Sequence, residues 1–407
     1  MECIKMAHLN FTQDRYRALD AWRGICALLV VLFHIPVLHL FKDAAGFANL
    51  QLCVDFFFVL SGFVISHAYQ RRIKSAGDGA GFLQARFFRL WPLHAVVLAA
   101  FIAFELVKLG YGYTHPGLGL DAAPFSAGHT PYEIVTNLLF LQAFNLHPGL
   151  SWNGPAWSIA VEFWTSVVFA LVLLLLPRAR VWAFLGLAIV SAAILAVTSP
   201  KTLFVSSDWG FFRCLLGFCV GCLVYDLRLR LPAPRLPFGL AETVSVGLAA
   251  AFVLLTPQGP IHLAAPLVFA ALIHVFSFEA GPVSKLLVTS VPQALGRWSL
   301  SIYMTHSLIF QLMRTAGSFA DKKLGMHTTV FHNGDKILTF GTGLVAILVT
   351  LAIITLVVIP VGAFFCRFVE KPLSRLSLSL PGPSKQRMLL ALRSADQSGT
   401  MEPVPAG

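Results

Sequence analysis

Long apolar runs alternate with short polar stretches along this chain. Each run is close to twenty residues, the length an α-helix needs to cross the roughly 30 Å hydrocarbon core of a bilayer. The pattern predicts ten such helices, over residues 20–40, 50–69, 90–109, 155–176, 181–198, 209–227, 240–255, 261–278, 298–313 and 337–365. The runs are too long and too evenly apolar for the alternating strands of a membrane barrel, so the expected fold is an all-α polytopic membrane protein. Residues 1–19 are polar and mixed in charge and read as a cytoplasmic N-terminal segment, and 20–366 read as one transmembrane domain. Residues 367–407 turn to Ser, Pro and Gly after Glu370 and read as a cytoplasmic, largely disordered tail. The longest connection, 110–154, is rich in Gly, Pro and His and holds a short helical stretch near 132–144.

Composition agrees with that class. Hydrophobic residues make up 57% of the chain and charged residues 12%, with a mean hydropathy of +0.75, values that exclude a soluble domain. A net charge of +11 would suit a nucleic-acid binder, but the basic residues fall between the apolar runs, so no nucleic-acid partner is expected. Their placement sets the orientation instead. With the N-terminus inside, the inner segments hold twenty-two Lys and Arg against six outside, which favours N-in and C-in placement. No signal-type apolar region precedes Asp20, so the first span is expected to be retained. Seven Cys show no zinc or redox spacing and read as small buried hydrophobes; no metal site is expected.

Candidate chemistry rests on the residues that are costly in a bilayer, because an ionisable group at that depth defaults to a functional hypothesis. In DAWRGICALLVVLFHIP, Arg23 and His34 stand eleven positions apart, which at about 100° per residue brings both to one helix face. Arg23 then marks the inner edge, and His34 lies about 10 Å from the outer face. Asp55 and Glu162, in the second and fourth spans, fall at about 8 and 10 Å from that face, so three ionisable groups share one level. A His with a carboxylate at hand suits general-base catalysis, the carboxylate fixing its tautomer and stabilising its charged form. The competing reading is a buried ion pair that keeps helices in register. His34, Asp55 and Glu162 are taken forward as a catalytic set. Tyr303 and His306 of WSLSIYMTHS, with Ser61, are candidates either for lining a passage from the cytoplasm to His34 or for core packing. Arg213 is expected to snorkel from the end of its span. Arg86 and Arg89 of ARFFRLWP put two guanidinium groups on one side, suited to phosphate oxygens, or to positive-inside topology and lipid headgroups.

In their order and spacing these stretches resemble the membrane acyltransferase-3 family. The resemblance rests on Arg23 and His34 with ten residues between them, VDFFFVLSGFVIS, RFFR, WSIAVEFW, SIYMTH and FVEKPLSR, and runs from about Arg17 to Arg375. It implies an O-acyltransferase that moves an acyl group, commonly acetyl, from cytoplasmic acyl-CoA to an acceptor hydroxyl on an extracytoplasmic or lipid-linked glycan. It implies that His34 and Arg23 are essential and that Arg86 and Arg89 help bind the donor, with Arg23 at or near that site. The implied partners are acyl-CoA as co-substrate (acetyl-CoA first), a hydroxyl-bearing acceptor and the bilayer, in a bacterial inner membrane, with no permanently bound cofactor. Some members add a C-terminal SGNH-type hydrolase domain; the chain ends soon after FVEKPLSR, so none is expected here. The role of His34 stays open between base and covalent acyl carrier. The competing function is a proton-coupled transporter or flippase with His34, Asp55 and Glu162 as a relay. No motif names the acceptor, though residues 110–154 and 320–336 are expected to contribute to its binding.

Overall fold

The computed structural model describes residues 15–39, 41–44, 46–115, 122–199, 202–231, 237–341 and 343–379. Most of the expected N-terminal segment and tail therefore lies outside the described residues, as do 116–121 of the long connection. The apolar runs fold as helices: α1 (Arg17–His34), α2 (Cys53–Tyr69), α3 (Ala76–Thr114), a short α4 (Pro131–Leu138), α5 (Trp157–Leu175), α6 (Arg180–Thr198) and α7 (Gly210–Arg230). They continue as α8 (Phe238–Leu255), α9 (Ala265–Phe276), a short α10 (Pro282–Leu287) and α11 (Ser290–Leu324). A two-stranded hairpin, β1 (Thr329–His332) and β2 (Asp335–Leu338), precedes α12 (Gly343–Ile353), α13 (Ile359–Phe365) and α14 (Lys371–Ser379), which are joined by π turns. The architecture is all-α and multi-pass. Among the described residues, seven helices are long and apolar enough to cross a membrane, where ten were expected. α1 is not among them; its 18 residues carry Arg17, Asp20 and Arg23.

Three of the boundaries that differ from the hydrophobic pattern have a plain local reason. α1 stops at His34, not residue 40, because Pro36 drives Ile35 into extended backbone (φ −60°, ψ 126°). α3 starts at Ala76 because Ser75 and Asp78 form a reciprocal capping box, so the basic stretch with Arg86 and Arg89 is helical. Residues 337–338, expected in the last span, belong to β2, whose turn uses Asn333 and Gly334 at positive φ (50° and 86°) as a tight antiparallel hairpin requires.

Small residues set the packing. A methyl group at Gly62 of α2 would lie 1.9 Å from the Phe218 carbonyl oxygen of α7, and one at Gly221 of α7 2.0 Å from that of Val59. These helices cross backbone to backbone, as glycine at such spacing permits. α1 and α11 also meet closely, at Gly24 and Gly296, where added methyl groups would lie 2.6 and 2.3 Å from the facing backbone. α2 and α7 form the most buried pair, while α6, α8 and the apolar helical run Gly343–Arg375 turn Trp182, Val197, Leu255 and Leu356 outward, as lipid-facing helices do.

At the His34 end of α1 the hairpin clips onto two elements. Leu338 bonds the residue 36–38 strand in both directions (Leu338 N to Pro36 O, 2.7 Å; Leu38 N to Leu338 O, 2.8 Å). Asp321 of α11 accepts from the backbone N–H groups of Thr328 (2.6 Å) and Thr329 (2.9 Å) and from both their hydroxyls. The Thr329 hydroxyl, with those of Thr328 and the two amides, pulls the Asp321 carboxyl down to about 2.

Candidate active site

Arg23 from α1 and Arg86 and Arg89 from α3 converge on one cavity of about 150 Å³, walled also by Ser61, Glu162 and Tyr303. Three residues of helical spacing bring Arg86 and Arg89 to the same wall. Each arginine is held by a carboxylate: Arg23 by Asp20 (3.2 Å), Arg86 by Glu162, and Arg89 by Glu370 (2.6 Å). Further bonds fix the forks, from Arg23 to the Ser299 hydroxyl (2.9 Å) and the Gly296 carbonyl (3.0 Å), and from Arg86 to the Ser166 hydroxyl (3.3 Å). Glu370 is positioned in turn by Ser301 (2.6 Å) and stands on a π turn, which shifts its side chain relative to a regular helix. A guanidinium has five donors, so these bonds leave N–H groups over for an anionic ligand in the cavity. Arg89 is the more open of the α3 pair, at 40% side-chain exposure against 14% for Arg86.

His34 closes α1 at the opposite end of the same helix face. Its Nδ1 donates to the Val30 carbonyl (2.9 Å), which fixes the neutral tautomer and leaves the Nε2 lone pair available to accept a proton. The ring packs against Phe33 and His306 yet stays exposed, so it borders open space rather than lying in the core. His306 is fully buried, its ring 5.1 Å from that of His34, and neither of its nitrogens has a hydrogen-bond partner. Orphaned buried nitrogens are rare and call for a function or a water. Tyr303, one turn back, lies 5.8 Å from His306 and has its hydroxyl tied to Pro155 O (3.0 Å) and Ser158 (2.9 Å). Tyr303 also lines the arginine cavity, so Tyr303, His306 and His34 form a continuous side-chain path from that cavity to His34.

Two expected partners of His34 are elsewhere. Asp55 is wholly buried and takes a two-pronged bond from Arg213 (Nε 2.9 Å, Nη2 2.6 Å). Arg213 does not snorkel; only 2% exposed, it also donates to the carbonyls of Val205 (3.1 Å) and Gln51 (3.2 Å), so the pair staples α2, α7 and the segment before α7. Glu162 accepts from Arg86 and from Ser61 (2.8 Å) and belongs to the arginine cavity. Equal depth did not mean equal direction: each carboxylate faces the arginine of a neighbouring helix. The charges that act on His34 are those of Lys42 and Arg314, both cations. The proposed relay of His34, Asp55 and Glu162 is therefore not assembled.

Sequence reasoning gave Glu370 no role, although it stands in the quoted FVEKPLSR. Asn153, which donates to the Met304 carbonyl (2.9 Å) and so holds the entry to α5 against α11, sits in a Trp-Asn-Gly-Pro turn whose composition signals a specific loop geometry.

Comparison with known proteins agrees with the geometry. Over residues 16–361 the chain matches a family described as an acyltransferase domain. It is 35% identical over 161 residues to protein 2 of the picA locus of Rhizobium radiobacter, covering 39% of this chain and 82% of that protein. It is 24% identical over 332 residues to the peptidoglycan O-acetyltransferase OatA of Listeria monocytogenes, covering 74% of this chain and half of that longer protein. A third relative, BcsY of Komagataeibacter xylinus, carries the name of a membrane-bound transacylase; it is 26% identical over 300 residues, with 71% of this chain and 69% of that one covered. No solved structure matches. The chain is a multi-pass membrane enzyme, and it belongs to the acyltransferase-3 family.

Proposed function

We propose that this enzyme takes an acyl group, acetyl first among candidates, from acyl-CoA at the arginine cavity and passes it to a hydroxyl of a glycan at the His34 end. The observation that carries the reading is the convergence of Arg23, Arg86 and Arg89 on a cavity joined by Tyr303 and His306 to an imidazole with a free Nε2. CoA is a polyanion that cannot enter hydrocarbon, so its phosphates would stay at the Arg89 mouth, in charge-assisted bonds, while the thioester reaches inward. The charge bias of the loops supports a cytoplasmic mouth with His34 towards the outer side, and the reading takes the membrane to be a bacterial inner membrane. A glycan acceptor is suggested by the Listeria relative, named for peptidoglycan O-acetylation.

In the proposed step, Nε2 of His34 removes the acceptor O–H proton as the oxygen attacks the thioester carbonyl. The tetrahedral intermediate collapses with cleavage of the C–S bond, and the imidazolium returns its proton to the departing CoA thiolate. Val30 holds Nδ1–H throughout and keeps the tautomer correct. Lys42 and Arg314, the cations that act on His34, would stabilise the developing oxyanion. Donor binding and proton transfer thus fall to opposite ends of α1.

The test uses purified protein, labelled acetyl-CoA and a panel of oligosaccharide acceptors. Acceptor-dependent label transfer, lost in His34→Ala, is expected. Label flux into no acceptor, or transfer that persists in His34→Ala, overturns the reading. Label retained on His34 without acceptor would instead make it a covalent carrier.

A further inference from the structure

The arginine cavity stops short of the imidazoles. Tyr303 is among its lining residues, but among the described residues His306 and His34 are not. α2 lines it with Val54, Phe57, Ser61 and Ile65, spaced by three or four residues and so on one helix face. Ser61 donates to Glu162 (2.8 Å), the partner of Arg86, and Ser299 of α11 accepts from Arg23 (2.9 Å). These two hydroxyls mark the level of the arginines. Phe57 and Tyr303 each stand one helical turn, about 6 Å, beyond that level towards His34. Their rings meet edge to face with centroids 5.9 Å apart, and the next ring along α11, that of His306, is 5.8 Å from Tyr303. A pair of aromatic rings therefore separates the donor cavity from the imidazole that would take the acceptor's proton.

The two rings are held very differently. The Tyr303 hydroxyl is tied to Pro155 O (3.0 Å) and Ser158 (2.9 Å), its ring is buried, and Asn153 grips the neighbouring Met304 carbonyl (2.9 Å). Phe57 has no polar atom to anchor, is only half-buried and faces the cavity; its other aromatic neighbour, Phe56, is 6.2 Å away. A cavity of about 150 Å³ holds roughly one benzene-sized group, which is less than a pantetheine arm. A donor that reaches His34 has to move a wall, and Phe57 is the more weakly held of the two rings in its way.

We propose that Phe57 is the movable half of an aromatic seal between the donor cavity and His34, and that the width of this seal decides which acyl groups the enzyme transfers. The proposal deepens the acyl-transfer reading and rests on it. Tyr303 is the fixed jamb, and Phe57 swings aside as the thioester enters. The pantetheine arm is an unbranched chain, so an opening just wide enough for it admits an acetyl group at its tip. An acyl group as broad as a phenyl ring would have to force the seal further open, against close-packed neighbours that give little. Selection is then by breadth, with Phe57 as the specificity-determining residue.

The test compares acetyl-CoA with benzoyl-CoA as donors to the same oligosaccharide panel, using the purified full chain. The readout is the ratio of kcat/KM for the two donors, which is taken within one protein and so does not depend on its folded fraction. The parent should favour acetyl-CoA at least about a hundredfold. Phe57→Ala leaves a hole of the lost ring's own shape, which a benzoyl ring can enter, and should cut that preference at least about tenfold. Phe57→Leu, a milder change should the alanine variant not fold, should fall between the two. Tyr303→Phe keeps its ring and should hold the preference within a few-fold of the parent. A parent that uses both donors equally, or folded Phe57→Ala and Phe57→Leu proteins that keep the parent's preference, overturns the proposal. So does a Tyr303→Phe protein that relaxes the preference as far as Phe57→Ala does. In all three cases acetyl transfer by the parent persists and the acyl-transfer reading stands; a parent that transfers from neither donor removes that reading, and the seal with it.

Discussion

Replacing Asp55 by Asn separates a structural from a catalytic role for a residue whose depth alone suggested catalysis. In the fold its carboxylate is wholly buried and receives two bonds from Arg213, at 2.9 and 2.6 Å. Removing one partner of a buried pair leaves the other charge uncompensated, at a cost of about 3–5 kcal/mol. Asn keeps one acceptor oxygen, and Arg213 retains the carbonyls of Val205 and Gln51, so the lower end, about 3 kcal/mol, is expected. That is a factor of more than about one hundred in the folding equilibrium. The assay is thermal unfolding in detergent beside transfer rate per folded molecule. Asp55→Asn should melt clearly earlier, yet its folded fraction should transfer acyl groups within a few-fold of the parent. Replacing both partners by Met should recover part of the lost stability, because no charge is then stranded. An Asp55→Asn protein that melts like the parent but cannot transfer would refute the reasoning and return Asp55 to the catalytic set.

His306→Phe removes two orphaned buried nitrogens without leaving a void, so thermal stability should hold or rise slightly while transfer falls at least about tenfold; unchanged transfer would make His306 a packing residue. Arg89→Gln should raise the KM for acetyl-CoA by about ten- to a hundredfold, the worth of a charge-assisted bond, with a smaller change in kcat, as measured by initial rates. The hairpin clip has a defined acid limit. Asp321 is held at about 2 in the folded protein against an ordinary 3.8, so its stabilising effect is full above about 4 and is lost as pH falls towards 2. Limited proteolysis of residues 328–338 should therefore accelerate between pH 4 and 2 in the parent, whereas Asp321→Asn should be cut readily at neutral pH and show little of that acid step.

The apolar runs made the membrane class legible because lipid-facing helices must be apolar on nearly every side. Boundaries were misread where helices leave that environment. Arg86 and Arg89 are helical because the Ser75–Asp78 cap starts α3 early, and polar residues on both sides of 298–313 continue α11. Arg23, Arg86 and Arg89 line one cavity, and helical spacing and loop charge bear on that end of the helices directly. The partners of His34 were not legible, because depth along a helix is read from sequence while the direction of each side chain depends on neighbours. Asp55 turns to α7 and Glu162 to α3. Asn333-Gly334, by contrast, was a readable hairpin signal inside a stretch treated as loop and span.

The central claim is that one acyl-CoA molecule bridges the arginine cavity and His34. Its most direct test is a structure of the protein bound to a non-transferable thioether analogue of acetyl-CoA. The account predicts the CoA phosphates on Arg86 and Arg89, with the pantetheine arm passing Tyr303 and the acetyl carbon close enough to His34 Nε2 for an acceptor oxygen to bridge them. CoA density away from those arginines, or an arm that ends without approaching Tyr303 and His306, would contradict it.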